Sequence, residues 1–232
     1  MKKMIIMAAM MVATLTASAQ TDPGTFSIVP HIGVTASQMT NTPNLGIEGV
    51  DGSISKKYTL GILIGAEAAY QVNDWISLAA GLNFAQAGSG WKNAKVTGAG
   101  ITTEINDLKI LTNYINIPLT ANFYIWQGLA VKTGIQCGFL LSAKSKGSMT
   151  TRGAGGKDIA DNTEDFDNDI KDSFNKFDLS IPIGLSYEFS NNLVIDARYN
   201  FGITRVNKDK EENGKDTRNS VFSLTLGYKF EL

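Results

Sequence analysis

A chain of 232 residues with 21 basic and 22 acidic side chains carries a formal net charge of −1, and 43% of it is hydrophobic. That balance excludes a nucleic-acid surface, which needs a basic field against phosphate. The lone cysteine, Cys137, excludes an intrachain disulfide framework.

The first residues read as a secretory leader. Lys2 and Lys3 give a positive start, Ile5 to Leu15 an apolar core, and Ala17-Ser18-Ala19 a small-residue cleavage site. The expected division is a leader over 1–19 and one barrel domain over 20–232. The apolar run is too short for a spanning helix, no later run reaches that length, and no cysteine stands near the site to accept a lipid.

Eight segments then alternate apolar and polar residues with the period of a β-strand. They run over about 25–37, 57–72, 75–88, 109–125, 129–142, 176–189, 193–205 and 221–232. The last is the clearest: Phe222, Leu224, Leu226, Tyr228, Phe230 and Leu232 share one face, and Ser223, Thr225, Gly227, Lys229 and Glu231 the other. Turn-forming residues at 72–74, 126–128 and 190–192 make three short connections. Long polar segments at about 38–56, 89–108, 143–175 and 206–217 make the others. Alternation of short and long connections predicts an all-β, eight-stranded antiparallel up-and-down transmembrane barrel, with short periplasmic turns and four long extracellular loops.

The composition of the two faces separates this from a soluble barrel. No formal charge falls on the apolar face, where an Arg or Lys at the bilayer midplane costs about 2–4 kcal/mol. The other face is rich in Gly, Ser, Thr and Asn, which suits the crowded lumen of a small barrel. Its few charges are Glu67, Lys132, Asp178, Glu188, Asp196, Arg198, Lys229 and Glu231. Aromatic residues gather near strand ends, with Tyr70, Trp75 and Trp126 towards one rim and Tyr58, Trp91 and Phe177 towards the other, as interfacial girdles do.

Several segments carry a family resemblance: Asn113-Tyr114-Ile115-Asn116-Ile117-Pro118-Leu119, Phe177-Asp178-Leu179 with Gly184, Arg198-Tyr199-Asn200-Phe201-Gly202-Ile203, and Gly227-Tyr228-Lys229-Phe230. Together they resemble the outer-membrane β-barrel proteins of Bacteroidetes, the PorT-type group. The resemblance implies an eight-stranded barrel without an assigned activity for most members, and it allows an accessory role in protein secretion or assembly.

Few residues invite chemistry. Glu188, Asp196, Arg198, Lys229 and Glu231 lie on neighbouring strands and are expected to form an internal ion-pair network, because charges in a narrow lumen need partners. His31, the single histidine, points inward without a recognisable nucleophile motif, and one histidine does not build an ordinary zinc site. Asp158, Asp161, Glu164, Asp165, Asp167, Asp169 and Asp172 crowd one loop. Asp165, Asp167 and Asp169 have partial calcium-loop spacing, but Ile170 takes the glycine position and the closing Glu is missing. The same stretch predicts a short helix, with a capping box at Asp161 and Glu164 and with Phe166, Ile170 and Phe174 on one side. Pro118 and Pro182, at inward positions, predict a bulge or kink each, and Cys137 is expected to face lipid.

No catalytic, cofactor-binding or metal-binding residue is assigned. The expectation is a non-enzymatic, monomeric outer-membrane protein with a structural, envelope or surface-binding role. Its expected partners are outer-membrane lipids and lipopolysaccharide, the barrel-insertion machinery during biogenesis, and an envelope or secretion protein. A lipid-modifying enzyme and a narrow channel are the remote alternatives.

Overall fold

A computed structural model describes residues 21–41, 55–98, 101–153, 162–208 and 216–232. The leader lies outside these residues, as do Asp158 and Asp161. Within them run β1 (Phe26–Thr40), β2 (Lys56–Lys57), β3 (Thr59–Asn73), β4 (Ile76–Trp91), β5 (Ala94–Gly98), β6 (Ile101–Trp126), β7 (Leu129–Gly153), β8 (Asn162–Asp169), β9 (Phe177–Glu188), β10 (Leu193–Gly202), β11 (Arg218–Tyr228) and β12 (Phe230–Glu231), with one 3-10 turn at Lys171–Ser173.

Eight long strands pair antiparallel in the order β1, β3, β4, β6, β7, β9, β10, β11. β11 then returns to β1, from His31↔Gly227 to Thr40↔Arg218, and closes the ring. Closure gives every strand of the ring a partner on both sides, which a strand structure in hydrocarbon requires. The three short connections fall where the turn residues stand. Gly128 and Asn192 take positive φ, 72° and 65°, to make two of them.

The two faces are inverted relative to a soluble protein. On β11 the outward Leu224 is 44% exposed while its inward neighbours Ser223 and Thr225 are 3% and 8%. Leu60, Leu82 and Ile183 are likewise exposed, and Thr35, Ser77 and Thr112 are buried. A water-soluble barrel would bury the first set, so this wall is made to meet lipid.

The cluster of buried apolar side chains lies at the loop end of the lumen. Met39, Tyr114, Leu140, Ala143, Phe174 and Val206 pack there, with Ile110 and Ile170 against them. Phe174 and Val206 come from connections that fold inward. Asn175 donates from Nδ2 to the carbonyls of Arg205 and Asn207, at 2.8 and 3.2 Å, and ties the two connections together.

Several expectations are corrected. Parts of the segments read as long loops are sheet: β6 and β7 run on to Ile101 and Gly153, and β5 and β8 pair with their extensions. Lipid imposes no apolar face on these extensions, so their alternation fades, while Thr-rich stretches such as Met149–Thr151 keep strand propensity. The acidic segment is strand β8, followed by a single 3-10 turn, not a helix. Pairing with β7, from Lys144↔Asp169 to Thr151↔Asn162, overrides the local helical signal.

Pro118 and Pro182 interrupt a ladder without shifting register. The β4–β6 pairs resume in step on either side of Gly81 and Pro118, and the β7–β9 pairs on either side of Gly134 and Pro182. Each proline faces a glycine, so its ring is accommodated without an inserted residue. Trp91 is buried and lies outside the aromatic girdle, because its pairing with Lys56 continues the inward phase of β4. The final strand breaks at Lys229 before β12 resumes the same register on β1. Cys137 is a free thiol paired with the outward residues Ile117 and Leu179.

Candidate functional site

The polar phase of the strands brings four buried charges together across the middle of the lumen. Glu67 comes from β3, Lys132 from β7, and Asp196 and Arg198 from β10. Arg198 donates to Glu67 Oε1 at 2.8 Å, and from Nε and one terminal nitrogen to both Asp196 oxygens at 3.2 Å. Lys132 Nζ stands 2.9 Å from Glu67 Oε2 and 2.9 Å from Asp196 Oδ2. Each acid thus touches both bases, and the four charges form a closed ring. All four side chains are less than 10% exposed, so each charge depends on its partners in place of water.

Towards the turn end, Lys229 Nζ donates to both oxygens of Glu188, at 2.8 and 2.7 Å. It also bonds Thr21, whose hydroxyl donates to Glu231 at 3.0 Å. Towards the loop end, Asp178 accepts from Thr204 at 2.7 Å and from Asn219 at 2.9 Å, and Asn219 reaches Tyr114. The cavity left at the level of the ion ring is about 60 Å³, room for only a few waters.

The network expected on the last three barrel strands exists only in part. Asp196 with Arg198 and Glu188 with Lys229 pair as expected. Glu67 and Lys132, which complete the ring, sit on β3 and β7 across the lumen. Strand alternation identifies them as inward charges, but the sequence carries no signal for which strands meet across the interior.

His31 is half-buried and fully used by its neighbours. Nδ1 donates to the Val29 carbonyl at 3.1 Å, and Nε2 lies 3.0 Å from the Asn83 side chain. Neither nitrogen contacts a hydroxyl or a carboxylate. Among the described residues there is no group of three or more His, Cys, Asp and Glu side chains that could hold a metal ion. On β8, Asp167 instead bridges Lys146 at 2.8 Å and Lys144 at 3.5 Å. The hydrogen bond from Lys146 holds its carboxyl below the usual carboxylate range.

Closed ring, outward apolar belt and charge-filled lumen together define a small transmembrane β-barrel of the outer-membrane class. The family model described as outer membrane protein beta-barrel domain matches residues 18–207, and the chain belongs to that family. This places it in the outer membrane. Among solved structures, the chain is similar to Ail of Yersinia pestis, with 17% identity and a TM-score of 0.40 over 90% of this chain and 99% of that one. It is similar to Neisserial surface protein A, with 16% identity and a TM-score of 0.39 over 88% and 97%. It is also similar to OprG of Pseudomonas aeruginosa, with 12% identity and a TM-score of 0.36 over 92% and 99%. A search of the curated proteins found no match.

Proposed function

We propose that this chain is a non-enzymatic, monomeric outer-membrane barrel whose work is done on its outer surfaces and not through its lumen. The observation that carries this reading is the double closure of the interior. An ion ring fills the middle, and the Phe174–Val206 plug caps the loop end. A solute path would have to break buried ion pairs and displace packed apolar groups. In this reading the leader is removed after Ala19, and both termini and the short turns face the periplasm. The extended strands β6 and β7 stand outside the cell, where they take a structural or surface-binding role in the envelope. The barrel-insertion machinery and lipopolysaccharide are the expected partners.

The finer kinship with the PorT-type barrels of Bacteroidetes rests on the Asn113–Leu119 and Arg198–Ile203 segments. With it goes the second reading, an accessory part of a secretion or assembly system. Crosslinking in whole cells followed by purification separates the two: a stoichiometric secretion protein on the chain favours the accessory role. Planar-bilayer recording tests the closed lumen directly. The chain should give no conductance steps, and regular steps would make it a channel.

A further inference from the structure

We propose that the outer wall at the loop end carries a binding site for the phosphorylated saccharide headgroup of an outer-leaflet glycolipid, held between Lys57 and Lys109 across a gap at Gly90. The inference rests on the orientation given above, with the loop end outside the cell.

The outward positions of β4, β6 and β7 form level rows. Lowest is Phe84, Ile115 and Phe139, part of the lipid-facing belt. Gln86, Asn113 and Ser142 follow, neutral and polar. Next come Gly88, Leu111 and Lys144. The highest row reads Lys57, Gly90, Lys109, Lys146 and Asp167 across five neighbouring strands. Lys57 and Lys109 thus pair with the same glycine from opposite sides. Adjacent strands lie about 4.8 Å apart, so their backbones stand about 10 Å apart with no side chain between. That span suits one phosphate contacted by two ammonium groups.

The gap below is enforced. Gly88 has a φ of 151°, and a Cβ there would lie 2.0 Å from the Ile110 carbonyl oxygen, so no side chain can fill it. The groove lined by Lys57, Gly90, Lys109 and Leu111 has a volume of about 560 Å³. Its charges are uneven. Asp167 engages Lys144 and Lys146, and Asp165 and Asp169 share its face of β8. This acidic strip repels an anion from the β7 side. Lys57 and Lys109 make no ion pair among the described residues, and Asp107 is the one carboxylate lining the groove. An anion is therefore directed to the Gly90 gap.

Height selects the kind of lipid. Two residues along a strand tilted by about 40° rise about 5 Å, so the lysine row stands about 15 Å above Phe84 and Ile115. Phosphates of ordinary phospholipids lie within roughly 5–8 Å of the hydrocarbon edge. A phosphate at the lysine row therefore belongs to a taller, sugar-bearing headgroup, and the exposed Leu60 and half-buried Leu111 beneath it suit the apolar faces of sugar rings.

Native mass spectrometry of the full chain, extracted from outer membrane in detergent, tests the site. The probes are a lipid A carrying a phosphorylated core saccharide, its dephosphorylated form, phosphatidylglycerol, and the deacylated phosphorylated saccharide. The intact glycolipid should be retained in preference to the other three. The double variant K57E/K109E should weaken it by about tenfold or more. Gly90→Leu should weaken it similarly without changing charge, since a Cβ there meets nothing closer than 3.4 Å and the wall tolerates it. Heat-modifiable gel migration reports whether each variant is a folded barrel. Equal retention of any other probe, or unchanged affinity in folded variants, overturns the site and leaves the barrel reading intact. A wild-type chain with no heat-modifiable band would overturn the barrel reading itself.

Discussion

Arg198 shows how much of the barrel interior rests on single side chains. It contacts both acids of the ring at 2.8–3.2 Å and is shielded from water. Arg198→Met leaves Glu67 and Asp196 to share Lys132, an uncompensated buried negative charge that costs about 3–5 kcal/mol. Urea unfolding of the barrel refolded into lipid vesicles measures that loss. Replacing all four charges by apolar residues of matched volume should come much closer to neutral, because no charge is then stranded.

Asp167 behaves differently because it is in solvent. Lys146 lowers its folded pKa, so its contribution to the β7–β8 pairing is fully present above the unfolded value, about 3.9. The contribution is lost as pH falls through the folded value. Carboxyl NMR should show Asp167 titrating below about 3.9 in the wild type and returning towards that value in Lys146→Ala.

Among the elements, the connection carrying Phe174 decides whether the loop end is closed. Truncation to alanine opens a cavity in the apolar plug and should cost about 3–5 kcal/mol, read in the same unfolding experiment. The ion ring below should still prevent conductance in planar bilayers. The sequence displayed the membrane part of each strand because lipid on one side and a crowded lumen on the other force strict alternation. Val221–Leu232 is the plainest case. It did not display the outer halves of β6 and β7, which run on past the lipid-facing belt. Nor did it display the fate of the acidic segment: Phe166, Ile170 and Phe174 have helical spacing, yet β7 offers an open edge, and it is Phe174, with Ile170 packed against it, that enters the buried plug. The candidate site was half legible for the same reason. Inward charges can be read from alternation, but Glu67 and Lys132 meet Arg198 and Asp196 only once the ring closes. The outward row of Lys57, Lys109 and Lys146 needs the register of three strand pairs, which the chain does not reveal.

At the scale of the whole molecule, stability depends on the solvent around it. The exposed belt of Ile, Leu, Val and Phe would be a severe aggregation liability in water, and in a bilayer it is the anchoring surface. Leu82→Arg, in the middle of the belt, should cost about 2–4 kcal/mol in a bilayer, whereas the same change on a water-facing wall would cost little. The measurement that bears most directly on this placement uses spin labels at the adjacent positions Leu224 and Ser223, in bilayers and with Cys137 replaced by serine. The Leu224 label should be accessible to oxygen dissolved among the acyl chains and protected from a water-soluble nickel complex, while the Ser223 label should be immobilised and reached poorly by both. Acyl-chain contact at Ser223 and not at Leu224, or a mature chain that stays dispersed without detergent, would contradict the account.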